Sequence, residues 1–102
     1  LDGKGANIHR LLTAAVGISA EGGEFMEIVK KVIFQGKPWN EDNHDHLVIE
    51  LGDVMWYVMQ ACAALNVSLD DVIKGNVNKL KKRYPGGDFD VHYSENRSID
   101  DR

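Results

Sequence analysis

The most hydrophobic stretch of the 102-residue chain runs from Leu47 to Leu65, and it sets the strongest limit on how the chain can fold. One apolar stripe recurs at helical spacing and predicts a helix over about 44–65: Leu47, Leu51, Val54, Val58, Cys62 and Leu65. Further apolar side chains lie outside that stripe: Val48, Met55, Trp56 and Met59. A helix that is apolar on most sides is buried on most sides. Because a three-helix monomer can hardly cover it, we expect a homodimer or homotetramer, with Trp56 in the core or in the interface.

Helical periodicity also occurs on both sides of this stretch, whereas strand-like alternation of useful length does not. A first helix is predicted over about 8–34, with the apolar positions Leu11, Leu12, Ala15, Ile18, Phe25, Ile28, Val29 and Val32. A third is predicted over about 69–84, with a core face of Leu69, Val72, Ile73, Val77 and Leu80. The expected fold is therefore all-α, a helical bundle completed by homo-oligomerisation. It forms a single domain over residues 1–102, in which residues 85–102 are an extended C-terminal tail.

Short polar residues mark where the second and third helices begin. Asp42 or Asn43 is the expected N-cap of the second helix, since such side chains favour that position. Ser68 followed by Asp71 resembles a capping box that opens the third helix. Glycine weakens a helix interior, so three glycines in the first helix either break it or allow another group to come close: Gly17, Gly22 and Gly23.

Composition excludes several classes of protein. The net charge of −4 argues against a nucleic-acid binder, because phosphate contacts need a basic excess. A single cysteine, Cys62, cannot form an internal disulfide, which fits a reducing cytosol. No apolar run approaches the roughly 20 residues that cross a bilayer, and nothing near the N-terminus resembles a signal peptide. We expect a cytoplasmic protein, and the start at Leu1 without methionine leaves room for a preceding segment.

Two pairs of carboxylates lie where the helices should be apolar. Glu21 and Glu24 are three residues apart in the first helix, and Glu50 and Asp53 are three apart in the second. Residues at this spacing share one helical face, roughly 5–6 Å apart at Cβ. Ionised groups in an apolar stretch are costly unless they are paired or bind a metal. If the two helices pack antiparallel, four carboxylates converge on a site for Mg²⁺, or for Mn²⁺ as a substitute.

The same acids have a simpler interpretation, namely that they are solvated helix faces. In that case the chain is a non-catalytic helical interaction or regulatory module that uses an acidic face for binding. One carboxylate pair alone would favour this interpretation, since acids at this spacing are common. Two pairs on consecutive helices, one of them in an apolar stretch, favour the metal site instead.

Three motifs in order carry a family resemblance. Residues 17–25 read GISAEGGEF, residues 49–54 read IELGDV and residues 76–85 read NVNKLKKRYP. Together they resemble the MazG-like branch of the all-α nucleoside triphosphate pyrophosphohydrolases. Residues 84–91, YPGGDFDV, and 94–97, SENR, are similar to the versions carried by bacteriophages. The resemblance covers about residues 7–97 and implies hydrolysis of a nucleoside triphosphate to the monophosphate and pyrophosphate with Mg²⁺, in the host cytoplasm if the protein is phage-encoded.

The resemblance also implies roles for particular residues. The metal ligands would be Glu21, Glu24, Glu50 and Asp53, with Glu24 or Glu50 also orienting the attacking water. Glu27 could act as an additional ligand, because Glu24 and Glu27 also form an E-x-x-E pair. Basic and polar groups of the third helix would contact the phosphates: Asn76, Lys79, Arg83 and Tyr84. A related hydrolase that acts on a modified, diphosphate or signalling nucleotide remains an alternative.

The remaining candidates rest on position alone. Lys31 lies near the acids and could contact substrate. Trp39, in the loop beside Pro38, could stack on a nucleobase, although anchoring of the loop explains it as well. Tyr57, one turn after Asp53, lies on the acidic face and could hydrogen-bond a ligand. The two histidines His44 and His46 are two residues apart and share no helical face, so a zinc pair is not expected.

Overall fold

The architecture comes from a computed structural model that describes residues 5–85 of the chain. Three helices follow one another: α1, Ile8–Phe34; α2, Glu41–Ala64; and α3, Leu69–Arg83. The described residues contain no strand, so the all-α prediction is confirmed. Most of the predicted C-terminal tail, residues 86–102, lies outside the described residues.

Helix α1 begins and ends as its periodicity predicts. Asn7 is the N-cap, and its side-chain oxygen accepts a hydrogen bond from the Arg10 backbone N–H. The chain leaves the helix through Gln35 and turns at Gly36, whose φ of 72° lies in the left-handed region that glycine tolerates. None of the glycines within α1 breaks the helix.

Helix α2 begins earlier than the sequence predicts. Asn40, rather than Asp42 or Asn43, is its N-cap, because Asn40 has the extended backbone that a cap requires and its side chain accepts from the Asn43 N–H at 2.9 Å. The first turn then holds Glu41 and Asp42, whose charges suit the positive end of the helix dipole. Asn43 has a different role, since its buried side chain donates to the Pro38 carbonyl at 2.6 Å.

Helices α1 and α2 form an antiparallel hairpin. At its open end the Asn7 N–H donates to the Ala64 carbonyl at 2.9 Å. The Arg10 guanidinium donates twice to the Gln60 side-chain oxygen, at 2.9 and 2.8 Å. The buried side chains lie along this seam: Ala14 and Ile28 from α1, and Glu50, Cys62 and Ala64 from α2. The predicted packing role of Cys62 is confirmed.

The opposite side of α2 is apolar and uncovered in the single chain. We call it the outer face, and it consists of Val48, Ile49, Met55, Trp56 and Met59. Trp56 is 62% exposed, so of the two predicted positions, core or interface, the single chain excludes the core. Four other expected core positions are exposed as well, because the hairpin covers only one side of each helix: Leu12, Ala15, Leu51 and Leu65.

Helix α3 is described by itself. The Ser68 hydroxyl accepts from the Asp71 N–H at 3.0 Å, which confirms the predicted cap. Basic residues occupy the last turn, where they suit the negative end of the dipole. The prediction that one face of α3 is buried is wrong. Leu69 is half-buried, and the remaining positions of that face are exposed: Val72, Ile73, Val77 and Leu80.

By length and composition alone, α2 could cross a membrane, with a mean hydropathy of 1.3 over its best window. This differs from the expectation that no apolar run is long enough. The core helix of a soluble protein passes the same test, so the match is a weak indication. A buried carboxylate in the middle of α2 is costly in hydrocarbon.

Candidate metal centre

Three carboxylates meet at the middle of the hairpin. Glu21 and Glu24 of α1 and Glu50 of α2 each offer one oxygen, and these oxygens all lie within 4.8 Å of one another. Glu24 is exposed, Glu21 half-buried and Glu50 only 7% exposed. Helical spacing brings the two α1 acids together, and the antiparallel pairing adds Glu50. We call these three residues the acid cluster.

Two oxygens of the acid cluster lack a hydrogen-bond partner. Glu21 Oε2 and Glu50 Oε2 are both buried, and no donor among the described residues reaches them. A buried acceptor without a partner costs roughly 1–3 kcal/mol, and more when it is charged. The cluster therefore requires a proton or a cation.

The pKa values of the cluster also indicate that it favours binding a proton or a cation. Burial raises the pKa of Glu21 to about 7, assisted by its hydrogen bond with Glu50 and by the charges of Glu24 and Asp53. Burial likewise raises the pKa of Glu50; its hydrogen bond with Glu21 opposes that shift, whereas Glu24 and Asp53 reinforce it. Like charges in one site cannot all ionise without cost. Without a metal, the cluster therefore binds a proton more readily than an exposed carboxylate does.

Asp53 and Glu27 have different relations to this cluster. Asp53 is exposed and outside the three-oxygen group, although its charge acts on both Glu21 and Glu50. Glu27 forms an ion pair with Lys30 at 2.9 Å, and that hydrogen bond and charge lower the pKa of Glu27. The alternative pairing of Glu24 with Glu27 as ligands therefore gains no support.

A groove of about 400 Å³ begins at Glu21 and follows α1 towards its N-terminus. Its walls are mostly apolar: Leu12, Val16 and Ala20, with the Thr13 hydroxyl and the Tyr57 ring. Gly17 lies directly against that ring, and a methyl group on Gly17 would overlap it. Close approach of another group therefore explains Gly17, one of the two readings that the sequence left open.

Sequence reasoning missed His46 as a neighbour of the cluster. Its Nε2 atom lies 3.4 Å from Glu50 Oε1, one helical turn away. The i,i+4 spacing of the two residues was the available indication.

The other predicted site residues lie on α1, in the loop before α2, and on α3 or directly after it. Lys31 is exposed on α1. Trp39 is exposed in the loop before α2, with its ring edge-on to His44 at 6.0 Å between centroids. On α3, Asn76 and Lys79 are exposed and Arg83 is half-buried, and Tyr84, directly after the helix, is buried. Their contacts with substrate stay predictions.

The acid cluster fits a hard divalent cation. Mg²⁺ and Mn²⁺ take oxygen ligands, and Mg²⁺ commonly uses one or two carboxylates together with water and phosphate. Three convergent carboxylates with two unpartnered buried oxygens supply that donor set. The exposed position of Glu24 leaves one side of the cluster open to solvent.

Comparisons with known proteins give a family model and a relative that match this chain. The family model described as the MazG nucleotide pyrophosphohydrolase domain matches residues 10–87, which include all three helices from Arg10 onwards. The Gene 37 protein of Mycobacterium phage L5 is 39% identical over 82 residues, which cover 79% of this chain and 72% of that protein. No solved structure matches.

Proposed function

The chain belongs to the MazG nucleotide pyrophosphohydrolase family, in its bacteriophage type, and from this premise we propose that it hydrolyses (deoxy)nucleoside triphosphates to monophosphates and pyrophosphate with Mg²⁺. The observation that carries the proposal is the acid cluster. Its three carboxylates come from two helices, and its two unpartnered oxygens are buried. A face that only binds a protein partner has no need for unpaired buried oxygens.

Glu21, Glu24 and Glu50 would hold the cation, with Asp53 at the exposed edge as the fourth predicted ligand. Mg²⁺, when bound, supplies charge neutralisation for the phosphates and lowers the pKa of bound water. The carboxylates position the triphosphate indirectly, because they fix where its counter-charge lies. Mn²⁺ is the expected substitute.

Glu24 is our preferred residue for orienting the attacking water. It is the exposed member of the cluster, so its carboxylate reaches a solvent molecule directly. Glu50 is buried and can act only on a water already inside the cluster. Both remain candidates for the catalytic role that the family resemblance implies.

The groove beside Glu21 is the proposed site for the nucleoside part of the substrate. Pockets for small molecules measure about 300–1,000 Å³ and are mostly apolar with a few polar groups, and this groove is similar. The Tyr57 ring would contact the base or the sugar, and Gly17 leaves room for that ring because it has no side chain. The nucleoside would then lie along α1, with its phosphates at the acid cluster.

Phosphate contacts are proposed for the basic and polar residues outside the groove. Asn76, Lys79 and Arg83 follow an i, i+3, i+7 spacing, which places them on one helical face of α3. Tyr84 follows directly, and Lys31 is a further candidate on α1. Trp39 is exposed, so its ring is accessible to a base.

We propose a second copy of the chain as the partner of the outer face. Five apolar side chains there are 45–62% exposed, which is unusual for a monomer. A homodimer that buries them is the simplest assembly, and a homotetramer would repeat the contact. The expected location is the cytoplasm, in the host if the protein is phage-encoded.

The reaction is tested by incubating the protein with a panel of nucleotides and detecting the products. We expect nucleoside triphosphates to give pyrophosphate and a monophosphate, and only when Mg²⁺ or its substitute Mn²⁺ is present. Orthophosphate release, or turnover confined to diphosphates or modified nucleotides, would assign the site to a related hydrolase. No turnover of any nucleotide, together with no metal binding, would favour the interaction module.

A further inference from the structure

A histidine lies against the buried carboxylate of the acid cluster. His46 is one turn before Glu50 on α2, and its Nε2 atom is 3.4 Å from Glu50 Oε1. The His46 side chain is half-exposed, whereas that of Glu50 is 9% exposed. The contact therefore reaches from the protein surface to the most buried member of the cluster.

The two oxygens of Glu50 have different surroundings. Oε1 faces His46, whereas Oε2 is buried and has no hydrogen-bond partner among the described residues. Carboxylates that bind a metal are themselves hydrogen-bonded by neighbouring side chains, which fix their orientation. In Glu50, one oxygen lies within ion-pair distance of a basic side chain, and the other is left for a ligand.

We propose that His46 is a positioning residue for the metal site, acting through Glu50. In its Nε2–H tautomer it donates to Oε1, fixes the plane of the carboxylate and keeps Oε2 available for the divalent cation. The inference rests on the proposed function, because it requires a cation in the acid cluster.

Two physical effects make such a restraint necessary. The terminal torsion of a glutamate is broad, so the carboxylate rotates easily when nothing holds it. The charges of Glu24 and Asp53 act on Glu50, and their repulsion drives it away from the cluster. Contact with His46 on the other oxygen opposes that movement.

The test measures Mn²⁺ binding to the full chain without nucleotide, by calorimetry or by the electron paramagnetic resonance of free Mn²⁺. His46→Ala should weaken Mn²⁺ affinity about 10- to 100-fold, the usual effect of losing such a partner. His46→Gln should restore most of the affinity, since its side-chain amide also donates. His46→Asn should not, because its amide is one methylene shorter and does not reach Glu50.

His44→Ala is the matched control. His44 contacts Asp45 and Trp39 rather than Glu50, so its loss should leave Mn²⁺ affinity unchanged. In turnover assays, His46→Ala should need more metal for half-maximal rate but approach the wild-type kcat at saturating metal. A residue that only stabilises the fold would not shift the metal requirement in this way.

Wild-type Mn²⁺ affinity in His46→Ala, or equal affinities in the Gln and Asn variants, would overturn the role of His46 and leave the proposed function intact. If the wild type bound no Mn²⁺, the metal site and the role of His46 would both be wrong. If it bound Mn²⁺ but hydrolysed no nucleotide, the proposed reaction would be wrong, while the ratio of affinities would still decide the role of His46.

Discussion

In a small protein, a helix usually buries apolar side chains and exposes charged ones, whereas the two sides of α2 do the opposite. The side that faces α1 buries Glu50, and the outer face exposes five apolar side chains including Trp56. Burial of a carboxylate costs free energy, and so does exposure of apolar surface. Nothing within the described part of a single chain offsets both of these two free-energy costs. We propose that a cation offsets the cost on the inner side and that a second copy of the chain covers the outer face.

The largest expected effect comes from removing the inner charge. Glu50→Gln keeps the shape of the side chain but removes a proposed metal ligand, so turnover should fall by more than the roughly 100-fold that a supporting partner can cost. The fold should remain, and melting in metal-free buffer should not be lowered, because repulsion with Glu24 and Asp53 is removed. Glu27→Gln is the control, since Glu27 pairs with Lys30 outside the cluster. Wild-type turnover by Glu50→Gln at limiting Mg²⁺ would refute the proposed metal site on the side of α2 that faces α1.

The second effect concerns the outer face. Trp56→Glu places a charge in the proposed contact between copies, so the assembly should dissociate or the chain should unfold. Gln35→Glu, exposed at the end of α1, adds the same charge elsewhere and should leave the assembly intact. Light scattering measures the outcome. A well-folded monomeric wild type would show that the outer face needs another explanation.

A third effect compares an inner glycine with an outer one on α1. Gly17→Ala overlaps the Tyr57 ring and should destabilise the protein by about 1–3 kcal/mol. Gly22→Ala meets open space and should stabilise it by about 0.5–1 kcal/mol, because alanine favours the helix. Denaturant unfolding of both variants measures the difference. Similar effects from both would mean that Tyr57 can move aside, and that the groove is less fixed than its contacts indicate.

The smallest effect is a dependence of stability on pH. In the unfolded chain the Glu21 carboxyl ionises near its ordinary pKa of 4.5, whereas in the folded, metal-free protein its pKa is about 7. The stability it contributes is complete below pH 4.5 and is lost as the pH rises through 7. Thermal melts should show this loss in wild type and much less of it in Glu21→Gln. Addition of Mg²⁺ at pH 7.5 should restore stability to the wild type, and an unchanged melting temperature there would contradict the need for a counter-charge.

Much of this hairpin could be predicted from the sequence, because apolar and acidic residues recur in it at helical spacing. The bounds of α1 and the cap at Ser68 follow from spacing and from local hydrogen bonding. The convergence of Glu21, Glu24 and Glu50 required one assumption, antiparallel packing, which the structure confirms. Leu12 and Leu51 were assigned to the core wrongly, because periodicity identifies an apolar side chain without stating whether its partner is the same chain. His46 was missed because one histidine one turn from a glutamate is common on helix surfaces.

The hydrogen bonds at the ends of the hairpin have a consequence for how the protein behaves without its ion. Arg10 and Gln60 join α1 to α2 at the open end, and Asn40 and Asn43 hold the loop to the start of α2 at the other end. All four are polar side chains whose bonds require no counter-ion from the cluster. The carboxylates that repel one another therefore lie between two ends of the hairpin that hydrogen bonds hold in place. If the proposed ion leaves, we expect the middle of the hairpin to loosen while its two ends stay hydrogen-bonded, so that the site can bind another ion without refolding.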